Sequence, residues 1–183
     1  VDFDPVHAKA AGNAPAHMDA DTAALFPSSF GDDGLPEGWN QSALGEILTI
    51  KRGGSPRPIH DFFAPQGLAW TKISDATASN SPFIFATQQF IKPEGLKKTV
   101  LLAKRELILS NSATPGIPKF LDIEACIHDG WLYFPSSELF SKNYLYLLFL
   151  TLRKVFIAQG NGSVFTNLKT DIIKIDDVRE AKE

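Results

Sequence analysis

The sequence predicts an α+β domain built from short, mostly antiparallel twisted strands and one long core helix. Short apolar segments alternate with polar residues along the chain, and Gly and Pro separate them. One segment alone is long enough for a substantial helix, and the absence of a regular strand–helix alternation disfavours a βαβ architecture. The chain has 183 residues, of which 44% are apolar, so it can form one or at most two domains.

The N-terminal residues predict an extended or partly helical linker rather than a domain. Residues 1–36 hold too few large apolar side chains to close a core. Residues 15–25 can form a short helix that starts near Asp19 or Asp21, and a turn then leads to a domain boundary near Leu35. The expected organisation is a linker over residues 1–36, a globular domain over residues 37–178, and the start of a distal segment over residues 179–183.

Within the domain, local signals predict each element in turn. Ser42 is expected to cap a short helix over residues 43–47. Apolar alternation predicts strands over residues 47–51, 68–73, 83–91, 107–110, 120–127 and 131–134. Ser141 is expected to cap the long helix over residues 142–159, which is apolar almost all round in its first turns and should therefore be central to the core. Residues 164–175 return to a strand or short-helix pattern.

The charge is unevenly distributed along the chain. The formal net charge of −3 excludes a globally basic nucleic-acid binder but leaves room for a local basic surface. Residues 51–119 hold ten Lys and Arg against four Asp and Glu, whereas residues 1–50 hold one basic residue against eight acidic ones. The basic segment can attract phosphate, or it can be an ordinary solvated surface.

Several protein classes are disfavoured by simple counts. The single cysteine, Cys126, excludes an intrachain disulfide framework and any zinc site that needs two thiolates, and it fits a reducing cytoplasm. The longest apolar run is far shorter than the roughly 20 residues that cross a bilayer, so no membrane association is expected. The chain begins with Val1 and shows no signal-peptide pattern, which is typical of a fragment.

The common catalytic motifs are missing from the sequence. It contains no dinucleotide-binding or phosphate-binding glycine motif, no metalloprotease motif and no hydrolase nucleophile elbow. The nearest constellation is Cys126, His128 and Asp129, and an alternative interpretation is a small hydrolase or transferase that uses His128 and Asp129. A buried cysteine followed by a turn histidine explains the same residues without catalysis.

Three loops share a composition that suits nucleic acid. They cover residues 51–57 (KRGGSPR), 110–119 (SNSATPGIPK) and 159–163 (QGNGS). Glycine lets the backbone approach a phosphate closely, hydroxyl and amide side chains can bond to phosphates or base edges, and Arg can grip guanine with two hydrogen bonds. Each loop alone can also be an ordinary turn, and the many aromatic residues are better explained as core than as stacking platforms.

Taken in order, these motifs resemble the DNA-specificity (S) subunit of type I restriction-modification systems. The resemblance rests on VDFDPV at residues 1–6, ALFPSSF at 24–30, LPEGW at 35–39, LGEI at 44–47, the GGSPR loop, WTKISD at 70–75 and the two later loops. The chain departs from the family at Ser55, where Thr is more frequent, and at the additional Asn161. The resemblance implies one target-recognition domain with the end of a central conserved region before it.

The resemblance also implies the partners. Such a domain is a non-catalytic reader of double-stranded DNA that needs no cofactor of its own. Adenine-N6 methyltransferase (M) subunits and restriction or motor (R) subunits join the intact subunit and carry out methylation and cleavage. A protein-binding module, with an incidental basic segment, remains a further alternative.

On this basis, we expect the loops to form one DNA-facing surface at one edge of the sheet. Lys residues should position the protein on phosphates, and Arg and Asn should contribute more to base reading. The predicted DNA-binding residues are Lys51, Arg52, Ser55, Arg57, Lys72, Asn111, Thr114, Lys119, Asn161 and Ser163.

Overall fold

The computed structural model describes residues 4–42, 48–135, 140–159 and 178–181. The chain divides into two compact units, which are described separately. The first unit comprises Val1–Ala43 and Asp176–Glu183, and the second comprises Leu44–Ile175.

The first unit holds two short helices and a two-stranded sheet. Helix α1 (Pro5–Ala10) begins after Asp4, whose carboxylate accepts two backbone N–H groups at 3.0 Å. Helix α2 (Ala20–Ala24) begins after Asp19, whose carboxylate accepts the Thr22 N–H at 2.7 Å, so the predicted helix and its cap are confirmed. Strand β1 (Trp39–Ser42) pairs antiparallel with β12 (Val178–Ala181).

The second unit contains ten strands, three short helical segments and one long helix among its described residues. The strands are β2 (Lys51–Arg52), β3 (Phe63–Ala64), β4 (Leu68–Thr71), β5 (Phe83–Ile84), β6 (Gln89–Ile91), β7 (Val100–Leu102), β8 (Leu107–Ser110), β9 (Pro118–Leu121), β10 (Ala125–Ile127) and β11 (Trp131–Tyr133). The helices are a 3₁₀ segment (Ile59–Phe62), α3 (Ile73–Thr77), a second 3₁₀ segment (Pro93–Lys98) and α4 (Lys142–Gln159).

These strands form two five-stranded sheets. One has the order β3-β6-β4-β10-β7 and the other β2-β11-β8-β9-β5. The pairs β4–β10 and β5–β9 are parallel and the other pairs are antiparallel, which agrees with the predicted α+β class. Side chains of both sheets and of α3 join one buried apolar cluster, and the Trp131 indole N–H donates to the Thr71 carbonyl at 3.0 Å across it.

Helix α4 has the predicted bounds and the predicted cap. The Tyr144 N–H donates to the Ser141 hydroxyl at 3.2 Å. Leu145 and Phe149 are buried, but Leu147 is 61% exposed. Tyr144 and Leu150 are also exposed. Among the described side chains of α4, those on one face join the core against β8 and β9, whereas Tyr144, Leu147 and Leu150 face outward, so the helix contributes to the core through one face rather than all round.

Several predicted strands are shorter than expected. The segment 83–91 divides into β5 and β6, and the segment 120–127 divides into β9 and β10, because turns interrupt each alternating run. The strand expected over residues 47–51 is reduced to β2, which begins at Lys51. Ser42 belongs to β1, and the helix expected after it lies outside the described residues, as do residues 164–175.

Candidate nucleic-acid interface

The turn between β10 and β11, residues 128–130, is the point where two of the predicted loops meet. Its backbone is closed by His128: the Gly130 N–H donates to Nδ1 at 2.8 Å, and the Trp131 N–H donates to the His128 carbonyl at 3.0 Å. The imidazole contacts two indoles, since its ring centroid lies 6.0 Å from that of Trp70 and 6.3 Å from that of Trp131.

Burial of His128 lowers the pKa of its imidazole below the usual value. The nearby cations Lys72 and Arg52 act in the same direction, while Asp129 and Asp75 oppose them. A neutral ring also agrees with Nδ1 accepting a hydrogen bond.

The first loop packs its backbone directly against this turn. The Gly53 N–H donates to the Trp131 carbonyl at 2.9 Å, and the Gly54 N–H donates to the Ile127 carbonyl at 3.2 Å. A Cβ atom at residue 53 would lie 2.3 Å from the His128 carbonyl oxygen. Glycine is therefore required at this position for the loop to approach the turn so closely.

Asp129 binds three of the predicted DNA-binding residues. The Ser55 hydroxyl donates to its Oδ1 at 2.6 Å, and the Arg57 Nη2 donates to its Oδ2 at 3.0 Å. The Arg52 Nε donates to its backbone carbonyl. Partial burial opposes ionisation of this carboxyl, but the Ser55 hydrogen bond and the Arg57 charge outweigh it and hold the pKa of Asp129 below its usual value.

A shallow cavity of about 270 Å³ opens beside this cluster. Ser55, Arg57, Lys72, His128 and Asp129 are among the residues that line it. Lys72 immediately precedes α3, and its backbone N–H donates to Asp75 Oδ2 at 2.8 Å, which fixes the backbone from which the lysine side chain extends. The cavity therefore combines two cations, a hydroxyl and one carboxylate.

The second loop reaches the same turn through Asn111. The Asn111 N–H donates to the Gly130 carbonyl at 2.9 Å. The rest of the loop closes on Ser110, whose hydroxyl donates to the Thr114 carbonyl at 2.6 Å and accepts the Ile117 N–H at 2.8 Å. The structure thus brings the first and second loops together at residues 128–130.

Two residues predicted to face DNA are instead buried. Asn111 is 1% exposed, and within the described part of the chain neither atom of its carboxamide makes a hydrogen bond. Lys119 is 6% exposed, and its amine donates to the Ser79 carbonyl at 3.0 Å and to the Ser81 carbonyl. The expectation that they lie on an exposed surface is corrected, because Asn111 is enclosed by packing and the lysine amine folds back onto the carbonyls of Ser79 and Ser81.

The remaining predicted residues have different surroundings. Lys51 and Arg52 are exposed on β2, opposite Tyr133 and Leu132 of β11. Thr114 is half-buried in the second loop. Asn161 and Ser163 lie outside the described residues, so the third loop has no structural account.

The alternative hydrolase arrangement finds no support in this geometry. Cys126 is fully buried in β10, and burial together with Glu124 raises the pKa of its thiol to about 11. The Asp129 carboxylate forms hydrogen bonds with Ser55 and Arg57, whereas its Oδ1 lies 3.8 Å from His128 Nδ1, too far for a hydrogen bond that would orient the imidazole. Among residues 4–42, 48–135, 140–159 and 178–181, no group of three or more His, Cys, Asp and Glu side chains could hold a metal ion.

Asp129 is the site residue that the sequence-based DNA surface omitted. An acidic residue in a predicted DNA surface is unexpected, because its charge repels phosphate. The available signal was its position beside Gly130 in a turn that follows a strand, which favours a loop-holding role.

Comparisons with known proteins identify the family of the chain. The family described as type I restriction modification DNA specificity domain matches residues 36–175. No curated protein matches the chain.

The described residues of this chain contain no helix long and apolar enough to cross a membrane.

Solved structures show the same fold at low sequence identity. One belongs to a study of complex assembly and conformational transition of the type I R-M system, with 17% identity, a TM-score of 0.60, and coverage of 87% of this chain and 37% of that chain. The HsdS subunit from Thermoanaerobacter tengcongensis has 17% identity and a TM-score of 0.55, with coverage of 86% and 36%.

The S subunit of a type I restriction-modification system from M. genitalium has 10% identity and a TM-score of 0.55, with coverage of 78% of this chain and 34% of that chain. This chain therefore spans just over a third of the length of these structures. The family match over residues 36–175 shows that the chain belongs to the type I restriction modification DNA specificity domain family.

Proposed function

We propose that the surface formed by residues 51–57, Lys72 and the turn 128–130, called here the reading surface, recognises part of a double-stranded DNA target. The observation that carries this proposal is that Arg52, Ser55 and Arg57 all bind Asp129 while Lys72 lines the adjoining cavity. Residues distant in sequence thereby form one polar surface on which cations outnumber the single carboxylate.

This chemistry suits DNA better than a neutral ligand. Lys can neutralise phosphates without regard to sequence, whereas Arg can bond to the O6 and N7 atoms of guanine with two donors. The recognition domain proposed here spans residues 37–178, after a linker over residues 1–36. The described surface belongs to the second unit of the fold.

The catalytic steps belong to partner subunits in this proposal. The protein that carries this chain would direct adenine-N6 methyltransferase (M) subunits, and with restriction or motor (R) subunits it would direct cleavage. Membership of the specificity family supports this assignment. The chain itself would transfer no methyl group, cut no DNA and hydrolyse no ATP.

The test compares the salt dependence of DNA binding by the wild type and by Lys72→Ala in the complete protein assembled with its M subunits. Sequencing of methylated sites in cells that carry the system first supplies the target duplex. Loss of one phosphate contact should weaken binding to all sequences and flatten the slope of log K against log salt by about one.

Lys104→Ala is the matched control, since Lys104 pairs with Asp122 at 3.2 Å outside the reading surface. Its salt slope should equal that of the wild type. Equal slopes for Lys72→Ala and the wild type would overturn the phosphate role of Lys72. A wild-type complex without sequence preference would overturn the function.

A further inference from the structure

We propose that Asp129 is a positioning residue that holds the Arg57 guanidinium for two-donor recognition of a guanine in the DNA major groove. The inference rests on the proposed function and specifies which base the reading surface recognises. It assigns to an acidic side chain a part in specificity that phosphate attraction alone would oppose.

The first step is that, among the described residues, the Arg57 guanidinium bonds to Asp129 through one nitrogen only. Its Nη2 donates to Asp129 Oδ2 at 3.0 Å, while its side chain is 73% exposed. A guanidinium has five N–H donors, so one bond to a carboxylate leaves most donors available. The free edge has the fork geometry that matches the O6 and N7 atoms of guanine.

The second step is that Asp129 is itself fixed in orientation. Its other carboxylate oxygen, Oδ1, accepts the Ser55 hydroxyl at 2.6 Å, and its backbone carbonyl accepts the Arg52 Nε. The two carboxylate oxygens thus have separate partners on the same loop. Arg57, which is bonded to this fixed carboxylate, therefore loses less conformational entropy when it binds DNA.

The third step is that the loop bearing Arg57 cannot move away easily. Gly53 and Gly54 donate to carbonyls on either side of the turn that carries Asp129. The low pKa of Asp129 keeps the carboxylate ionised at neutral pH, so its bond to Arg57 is charge-assisted. Loop and turn therefore present Arg57 as one unit.

The sign of the electrostatic effect makes the proposal testable. A carboxylate near DNA repels phosphate, so removal of its charge alone should tighten binding to every sequence. Removal of a positioning contact should instead weaken binding to the true target and leave other sequences less affected. The same substitution, Asp129→Asn, therefore gives opposite results under the two explanations.

The experiment uses the complete protein with its M subunits and the duplex identified by sequencing of methylated sites. Arg57→Ala first identifies the base pair at which selectivity is lost. Discrimination is then measured as the ratio of affinities for the target and for a duplex with that base pair changed. We expect Arg57→Ala to lower this ratio by roughly 5- to 100-fold at a G·C pair.

Asp129→Asn should lower the same ratio by about 3- to 30-fold, since the amide oxygen can still accept from Ser55 but the charge-assisted bond is lost. In the Arg57→Ala background it should lower the ratio no further, because no arginine remains to be positioned. The matched control is Asp122→Asn, which removes a carboxylate paired with Lys104 and Arg105 outside the reading surface. It should leave the ratio unchanged.

Three results would overturn the inference while the wild type still selects its target. One is a uniform gain in affinity for all sequences with Asp129→Asn. Another is an equal effect of this substitution with and without Arg57. The third is loss of selectivity in Arg57→Ala at an A·T pair. A wild type without selectivity would instead remove the proposed function itself.

Discussion

The side-chain amine of Lys119, a residue that is only 6% exposed, donates to the carbonyl oxygen of Ser79 at 3.0 Å. A second bond to the Ser81 carbonyl completes the attachment of β9 to the segment after α3. Burial lowers the pKa of this amine, because the charged form loses water that the carbonyls only partly replace.

Lys119→Ala should therefore reduce stability without changing the electrostatics of DNA binding. The substitution leaves carbonyl oxygens without their donor and opens a cavity, which costs about 1–3 kcal/mol. Urea unfolding of the purified protein measures the loss. The control is Lys104→Ala, an exposed lysine expected to change the free energy of unfolding by less than about 0.5 kcal/mol. A reduced salt slope for DNA binding by Lys119→Ala would contradict this assignment.

Gly53→Ala should separate the first loop from the turn 128–130. The new Cβ atom would meet the His128 carbonyl oxygen at 2.3 Å and the Ile127 carbonyl oxygen at 2.7 Å, so backbone must move. We expect a loss of about 1–3 kcal/mol in the free energy of unfolding, and reduced discrimination between DNA sequences. Denaturant unfolding and competition binding measure the two effects.

Gly95→Ala is the matched control for this prediction. A Cβ atom there would meet side-chain atoms of Ile91 at 3.2 Å and Phe62 at 3.3 Å, which can shift, rather than backbone. Its effect on DNA discrimination should be small. Equal loss of discrimination in both variants would show that the close approach of Gly53 is unimportant.

His128 should make the second unit less stable as the pH falls through the range in which histidine titrates. The imidazole has a lowered pKa in the folded protein, so near pH 6.5 the unfolded chain binds a proton that the folded chain does not. The free energy of unfolding should fall below this pH, by at most about 1.4 kcal/mol per pH unit, until the folded imidazole is also protonated.

Urea unfolding between pH 7.5 and 5, with tryptophan fluorescence as the probe, measures this dependence. His128→Asn retains an acceptor for the Gly130 N–H but cannot titrate. The free energy of unfolding of this variant should therefore depend less on pH than that of the wild type. Asp4 and Asp129 have lowered pKa values, and the stability they contribute is lost only in more acidic solution. An identical pH dependence in the wild type and in His128→Asn would contradict the prediction.

The two faces of helix α4 should respond differently to truncation. Phe149 is buried against Phe134, with ring centroids 4.8 Å apart, and Phe149→Ala should cost about 3–5 kcal/mol. Leu147 is largely exposed, and Leu147→Ala should cost less than about 1 kcal/mol. Thermal or urea unfolding of the two variants distinguishes the faces. Similar losses would mean that the exposed face is covered in the complete protein.

Local patterns in the sequence determined the elements whose causes are local. Strand β8 has the predicted bounds, because three buried apolar residues and a buried serine come directly before a turn. Helix α4 begins after Ser141, because the hydroxyl of that residue reaches an N–H three positions ahead. The capping of α2 by Asp19 has the same origin. The residues of the first loop were also identified from composition alone, since Gly, Ser and Arg occur together there.

Only the tertiary structure decided which charged side chains are available to DNA. Asp129 meets Ser55 across 74 positions and Arg57 across 72 positions of the chain, and no periodic pattern specifies such a contact. In the sequence, Lys119 could not be told from the exposed lysines. In the fold, its amine donates to carbonyls 38 and 40 positions away. The physical reason is that desolvation and hydrogen bonding of a charge depend on what packs around it, and in this chain strand pairing between distant segments supplies those neighbours.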